Sequence, residues 1–245
     1  MDAAEYQLMY KVEDSHWWYQ GMAAVMRSVL ESRSVLGGNL SILDAGCGTG
    51  GTMSWLSDYG KVAGLDFSAR ALHYSRKRGH NRVVQASVTN LPFAPETFDL
   101  VVSLDVLYFA HVQDELALRE FLRVLVPGGR ILLRLPAYNW LRGAHDRQVS
   151  TAHRYTRKEV REKLLRNGMT PELLTYVNTF LFPAVAVKRM LDRFLSAPPS
   201  SDLAVEMKAM AGFLRGCLRL ESRLIRWGTL PFGLSIVGLA RKPIH

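Results

Sequence analysis

Cysteine is scarce in this chain: Cys47 and Cys217 are the only two in 245 residues, and no C-x-x-C pair occurs. A zinc module or a disulfide framework is therefore not expected, and the chain suits a reducing, cytoplasmic setting. Long apolar runs are missing as well. The longest, FLFPAVAV at 180–187, is too short to span a bilayer and runs directly into Lys188 and Arg189. The first twenty residues, MDAAEYQLMYKVEDSHWWYQ, lack the basic and apolar regions of a secretory leader. Acids are in deficit, 22 against 31 Lys and Arg, for a formal charge of +9. Such a balance suits nucleic acid, an anionic membrane surface or an acidic substrate. The basic residues are scattered, however, and signatures of nucleic-acid readers are absent, so nucleic acid is not the expected partner. The densest basic cluster, RKRGHNR at 76–82, reads as a solvated helix end and loop. There is no internal repeat, and SAPPSS at 196–201 is the one low-complexity patch.

What is present is a chain with 48% apolar residues, enough for a sizeable core. Short apolar runs alternate with helical patterns from Ser41 to Pro136. SILDAG, KVAGLD, RVVQAS, DLVVSLD and RILLRLP read as five strands. The segments between them read as helices capped by residues such as Ser68 and closed by Gly60 and Gly79. This alternation predicts a doubly wound, Rossmann-like α/β sheet, mostly parallel. Before it, Ser15 is the expected cap of a helix bearing Met22, Val25, Met26, Val29 and Leu30 at helical spacing. After it come an irregular stretch, a helix capped by Thr156, a strand around MTPELLTYVNT, two apolar helices and a last strand, GLSIVGLARKP.

The glycine turn LDAGCGTGG, Leu43–Gly51, satisfies the dinucleotide pattern G-x-G-x-x-G with Gly46, Gly48 and Gly51. Asp66 lies where that pattern places its ribose-binding acid. Asp44 argues for a different ligand. A dinucleotide would bring a pyrophosphate to the helix N-terminus, and a carboxylate at Asp44 would repel it. Two acids flanking a glycine turn suit a nucleoside that carries positive charge and no phosphate, as S-adenosylmethionine does.

LDAGCGTG, GLDFS, LPFAPETFDLVVSLDVLY and REFLRVLVPGGRILLRLP together resemble, in order and spacing, the class I S-adenosylmethionine-dependent methyltransferases of the type 11 kind. The flanking EDSHWWYQGMAAVMRSVL and HDRQVSTAHRYTRKEVREKLLRNGM resemble a subgroup with an N-terminal His-Trp-Trp-aromatic signature. The resemblance implies an antiparallel last strand. It also implies S-adenosyl-L-methionine as cofactor, with S-adenosyl-L-homocysteine as product. Asp44 would face the methionine amino group, and Gly46, Cys47, Gly48 and Gly50 would bring backbone to the cofactor. Asp66 would hold the ribose and Phe67 lie beside the adenine. Ser87 stands where the family carries an acid near the adenine, with the amide of Val88 as substitute; Leu104 and Tyr19 complete the expected set.

His145, Asp146, His153, Arg154 and Tyr155 form the densest polar group outside the core. His145, Asp146, His153 and Tyr155 are the catalytic candidates, because a carboxylate beside an imidazole orients it and raises its basicity. The alternative is a loop held by its own hydrogen bonds. Asp105 and His111 carry the same pair of readings, ligand contact or local structure. His16, Trp17, Trp18 and Tyr19 would line the cofactor site or dock a helix on the sheet. The expected layout is a helical lid over 1–39, a core of 40–178 and 229–245, and a helical cap over 179–228. The cap would pack on the sheet, enclose a greasy substrate or lie in a membrane surface. The expected function is methylation of a small or amphiphilic molecule, such as a natural product, sugar or lipid-linked intermediate. O-methylation is favoured over N-methylation. The alternative is a cofactor-binding but non-catalytic partner of a biosynthetic or membrane-associated complex.

Overall fold

The computed structural model describes residues 3–35, 37–143, 146, 151–195 and 211–244. Strands β1 (Leu40–Ala45), β2 (Gly60–Asp66), β3 (Val83–Gln85), β4 (Phe98–Leu104), β5 (Leu125–Pro136), β6 (Thr170–Val177) and β7 (Ser235–Arg241) form one sheet in the order β3-β2-β1-β4-β5-β7-β6. The pairs from β3 to β5 are parallel, while β7 runs antiparallel to both β5 and β6. The expected doubly wound sheet with its antiparallel last strand is thus present. It reverses direction between β1 and β4, where ligands bind in open α/β sheets.

Alternation of apolar residues along the central strands makes two cores. Leu43, Val101, Ile131, Leu133, Ile236 and Ala240 face one side. There they meet α5 (Asp114–Val124), through Ala117, Leu118 and Phe121, and α6 (Arg157–Arg166), through Val160 and Leu164. Ile42, Leu100, Val102, Leu132, Val237 and Leu239 face the other side. That side is covered by α2 (Trp17–Ser32), α3 (Gly51–Leu56), α4 (Ala69–Lys77) and α8 (Ala211–Leu224). The helix α7 (Phe182–Leu195) precedes α8, and α1 (Ala3–Val12) precedes α2.

The N-terminal helices behave differently from each other. Met22, Val25, Met26, Val29 and Leu30 are fully buried, so α2 is part of the core. Its cap is His16, not Ser15: His16 is extended (φ −70, ψ 133), and its Nδ1 accepts from the Trp18 amide at 3.3 Å. Trp17 and Trp18 pack edge to face at 5.9 Å against the second core, which makes them docking residues. The last helix also belongs to the core. A Cβ on Gly21 would lie 2.2 Å from Leu218 Cδ1, so α2 and α8 touch closely.

Candidate cofactor and acceptor site

At the carboxyl end of β1 the chain must turn sharply into α3. Gly46, Gly48 and Gly50 do so with φ of +96°, +54° and +89°, a region costly for a residue with a Cβ. Space also forbids a side chain at Gly46, where a Cβ would lie 2.2 Å from Val106 Cγ2. The amides of Gly46 and Cys47 both donate to Leu65 O, at 2.7 and 2.9 Å, locking the turn to β2. The Cys47 side chain is buried against Gly64 and Met53, and burial pushes its thiol up. Its contribution at the turn is therefore backbone.

Asp66 ends β2 and accepts from the Gly48 amide at 3.0 Å and the Ser68 amide at 2.8 Å. Each carboxylate oxygen retains a lone pair, so two hydroxyls can still be accepted. Asp44 is 1% exposed, and its Oδ2 has no hydrogen-bond partner. Burial, reinforced by Glu13 and Asp66, holds its carboxyl well above the usual range. Buried acceptors are nearly always paired, so this oxygen is shaped for a donor from outside the chain. An ammonium group fits it, and a phosphate does not.

The third acid, Glu13, comes from just beyond α1 and was not foreseen. Thr49 Oγ1 donates to Glu13 Oε2, and Arg78 Nη2 reaches the same oxygen at 3.2 Å. Arg78 also donates to Thr49 O at 3.0 Å and Tyr10 O at 3.2 Å, pairs with Asp14, and lies 4.9 Å from the Tyr10 ring centre. Its side chain is only 10% exposed, so the solvated reading of RKRGHNR fails at this residue. Arg78 is the clasp that holds α1 over the glycine turn. Met9 Cε lies 3.1 Å from where a Gly48 Cβ would be, and the Glu13 carboxyl covers Gly51.

Around this turn stand the other expected cofactor residues. Phe67 is 69% exposed and its ring lies 5.9 Å from His111, which stacks on Phe109. The Ser87 hydroxyl is engaged with Thr89 Oγ1 at 2.7 Å in its own turn, and Val88 is buried beside it. Leu104 is half-buried at the end of β4. Tyr19 connects the two halves of the site: burial pushes its phenol up to about 12, with Glu13, Arg134 and Asp105 as charged neighbours.

Beyond the ends of β4 and β5 lies a second polar group. Asp105, at φ +59°, accepts from Arg134 Nε at 2.9 Å and pairs with Nη2 as well. Asp146 accepts from Arg154 Nε and Nη2 at 2.8 and 3.0 Å and from the Gly143 amide at 2.8 Å. Burial opposes ionisation of Asp146, but these donors hold its carboxyl below the usual range. Tyr108 is set among both ion pairs, and burial raises its phenol. Arg134 and Tyr108 were missed because a strand Arg and a loop Tyr carry no spacing signal.

The catalytic quartet read from the sequence is not one constellation. Asp146 pairs with Arg154, and no imidazole among the described residues contacts it. Tyr155 is buried and donates to Leu107 O at 3.1 Å and Asp114 Oδ2 at 2.9 Å, which makes it a core anchor under α5. His145 lies outside the described residues. His153 is half-buried, its ring edge to face with Tyr155 at 4.6 Å and its Nε2 2.8 Å from Glu159 Oε1. A further polar residue emerges from the topology. Because β6 runs the same way as β5, Asn178 follows β6 at the ligand edge. It is fully buried at φ +62°, and neither side-chain polar atom has a partner.

The sheet order, with its antiparallel last strand, is that of the Rossmann-like fold of solved methyltransferase structures. Residues 43–133, just over a third of the chain, match the type 11 family of methyltransferase domains. Over 91 residues it is 42% identical to malonyl-[acyl-carrier protein] O-methyltransferase of Enterobacter lignolyticus, covering 36% of each chain. Over 94 residues it is 37% identical to the human probable tRNA methyltransferase 9B, covering 38% of this chain and 20% of that one. The chain thus spans well under half the length of these curated relatives. Among solved structures, geranyl diphosphate C-methyltransferase of Streptomyces coelicolor, bound to S-adenosyl-L-homocysteine, shares the fold. Its TM-score is 0.58 at 16% identity, over 88% of this chain and 79% of that one. The [4+2]-cyclase SpnF shares it too, with a TM-score of 0.61 at 21% identity, over 93% and 83%. No described helix is long and apolar enough to cross a membrane.

Proposed function

We propose that this protein transfers the sulfonium methyl of S-adenosyl-L-methionine to a small or amphiphilic acceptor, a hydroxyl oxygen before an amine. The observation that carries this reading is the unpartnered, buried oxygen of Asp44 in a turn of three carboxylates. In this reading Asp44 takes the ammonium end of the cofactor. Gly46, Gly48 and Gly50 admit it to the backbone, and Asp66 takes the ribose hydroxyls. The adenine lies toward Phe67, Ser87 and Val88, with Leu104 and Tyr19 along the methionine arm. The bound cofactor supplies an already activated methyl group, so the main tasks of the protein are alignment and exclusion of water. Partial burial of Glu13, Tyr19, Asp105 and Arg134 around that space serves the second task.

The acceptor lies toward Tyr108, the Asp105–Arg134 and Asp146–Arg154 pairs and Asn178. The open amide of Asn178 offers both a donor and an acceptor to it. For a hydroxyl acceptor His153 is the base: Glu159 holds the proton on Nε2, which leaves Nδ1 to accept. Natural-product, sugar and lipid-linked alcohols all satisfy this description.

Thermal unfolding with S-adenosylmethionine, S-adenosylhomocysteine and NADH in parallel tests the cofactor. The two sulfur nucleosides should raise the midpoint and NADH should not; the reverse would overturn the reading. Transfer of labelled methyl into small-molecule extracts then tests catalysis. His153→Ala should lower turnover about 10²–10⁴-fold without changing cofactor affinity. Unchanged turnover would remove the base.

A further inference from the structure

Nine of the fifteen large apolar side chains exposed among the described residues fall between Phe180 and Phe232. They are not scattered within that stretch. On α8 and the turn after it, Phe213, Leu220, Leu224 and Trp227 recur at i, i+7, i+11 and i+14, which is one side of a helix. Phe213 is 68% exposed and Trp227 is 91% exposed. The opposite side, with Leu214, Leu218 and Ile225, is buried against the core, so the helix is apolar on two faces. Between Ala211 and Gly228 the single acid, Glu221, is fully buried, where it accepts from the amides of Asn178 and Phe180. The arginines lie along one border of the exposed stripe: Arg219, Arg223 and Arg226 are all exposed, and Arg226 pairs with Glu31 of α2. The helix α7 repeats the pattern. Over 182–191 its exposed residues, Pro183, Ala184, Val187, Met190 and Leu191, are all apolar, while Arg189 is buried.

We infer that the outer face of α8 docks on an anionic lipid surface. The apolar stripe enters the boundary between headgroups and acyl chains, and the arginine row meets the lipid phosphates and carboxylates. Three observations select this occupant. The stripe is bordered by the exposed cations Arg219, Arg223 and Arg226, of which Arg226 alone is paired, with Glu31, so the described border is net positive and complements an anionic headgroup layer. Its most exposed member is a tryptophan, a residue favoured at membrane–water interfaces. A second copy of the same face would bring two arginine rows together, which like-charge repulsion disfavours. Neither helix is long enough to cross, so the contact is peripheral. This inference stands on the surface of the protein and not on the methyl-transfer reading.

The test is sedimentation of the full chain with phosphatidylcholine vesicles, with and without phosphatidylserine, beside light scattering of the protein alone. The wild type should pellet with the anionic vesicles, less with neutral ones, and less again as salt rises. The triple variant Leu220→Gln, Leu224→Gln, Trp227→Gln should bind at least about tenfold more weakly, since its lost contacts are hydrophobic. Arg219→Glu with Arg223→Glu should weaken binding to the anionic vesicles alone. All of these side chains are exposed, so the unfolding midpoint and its shift with S-adenosylhomocysteine should stay as in the wild type. No pelleting above the lipid-free control, or equal pelleting of the triple variant, would overturn the inference. A wild-type dimer that the triple variant dissolves would overturn it in favour of self-association.

Discussion

Replacing Asp44 with Asn separates what the fold needs from what the cofactor needs. In the free protein the carboxyl is buried beside Glu13 and Asp66, and one oxygen is unpartnered. Its folded pKa therefore lies above its unfolded one. The associated stability is fully present below the unfolded value, near 3.8, and is lost as pH rises through the folded value. At neutral pH the free protein carries that penalty, and Asp44→Asn removes it at nearly constant shape. The variant should unfold no lower than the wild type, with a flatter dependence on pH from about 4 upward. Cofactor binding should respond in the opposite sense. Losing one member of a buried, hydrogen-bonded charge pair costs about 2–5 kcal/mol, roughly 30-fold to several thousandfold in affinity. Saturation at about 100 times the dissociation constant stabilises the wild type by about 2.7 kcal/mol. For a chain of this size each kcal/mol moves the midpoint by roughly 2–4 °C. S-adenosylhomocysteine should thus shift the wild type by about 5–11 °C and Asp44→Asn by at most about 2–4 °C at the same concentration. A variant that unfolds well below the wild type, or one that keeps the full shift, would refute the assignment of Asp44 to the ligand.

Arg78→Met should release α1 from the glycine turn. Loss of a buried ion partner costs about 3–5 kcal/mol, lessened here because Asp14 is mostly exposed; limited proteolysis should cut within the first fifteen residues, and unchanged protection would deny the clasp. Gly46→Ala should destabilise by about 1–3 kcal/mol, because it combines φ of +96° with a clash on Val106, and denaturant unfolding would show it. Tyr155→Phe removes hydrogen bonds to Leu107 and Asp114 and should cost about 1 kcal/mol of stability with kcat intact; a collapse of kcat alone would return Tyr155 to the chemistry. Asn178→Gly keeps the backbone conformation and removes two unpartnered polar atoms. It should raise KM for the acceptor with the midpoint nearly unchanged, and an unaltered KM would place Asn178 outside the acceptor site.

Much of the core was legible because its signals are local. Period-two apolar patterns, capping by Ser68 and Thr156, and glycines at positive φ depend on a few neighbouring residues. Asp44 and Asp66 were legible because their spacing from the glycines fixes both at strand ends. The rest depended on pairing at long range. Nothing between residues 13 and 78 announces that Glu13 and Arg78 share an oxygen-to-nitrogen contact across the glycine turn. The post-β5 segment was misread for the same reason. His153, Asp146 and Tyr155 are close in sequence, yet their hydrogen bonds diverge: to Glu159 on α6, to Arg154 of the same segment, and to Asp114 on α5. Ser15 lost the cap to His16 through a one-residue offset that propensity does not resolve.

The placement of Glu13 links the fold to the ligand. Closing α1 brings a third carboxyl to a turn that already holds Asp44 and Asp66, and burial raises all three. Arg78 offsets this charge, but it reaches Glu13 and Asp14 and leaves the Asp44 oxygen without a partner. A cationic ligand beside Asp44 would relieve the remaining repulsion, and it would do so most strongly with α1 in place. Docking of α1 and binding of a positively charged nucleoside would therefore favour each other, by the same amount in each direction. A phosphate-bearing dinucleotide would meet the opposite coupling, since every carboxyl that α1 adds would oppose it. Glu13, added to Asp44 and Asp66 in a dinucleotide-like turn, would thus make docking of the N-terminal helix sensitive to the sign of the ligand's charge.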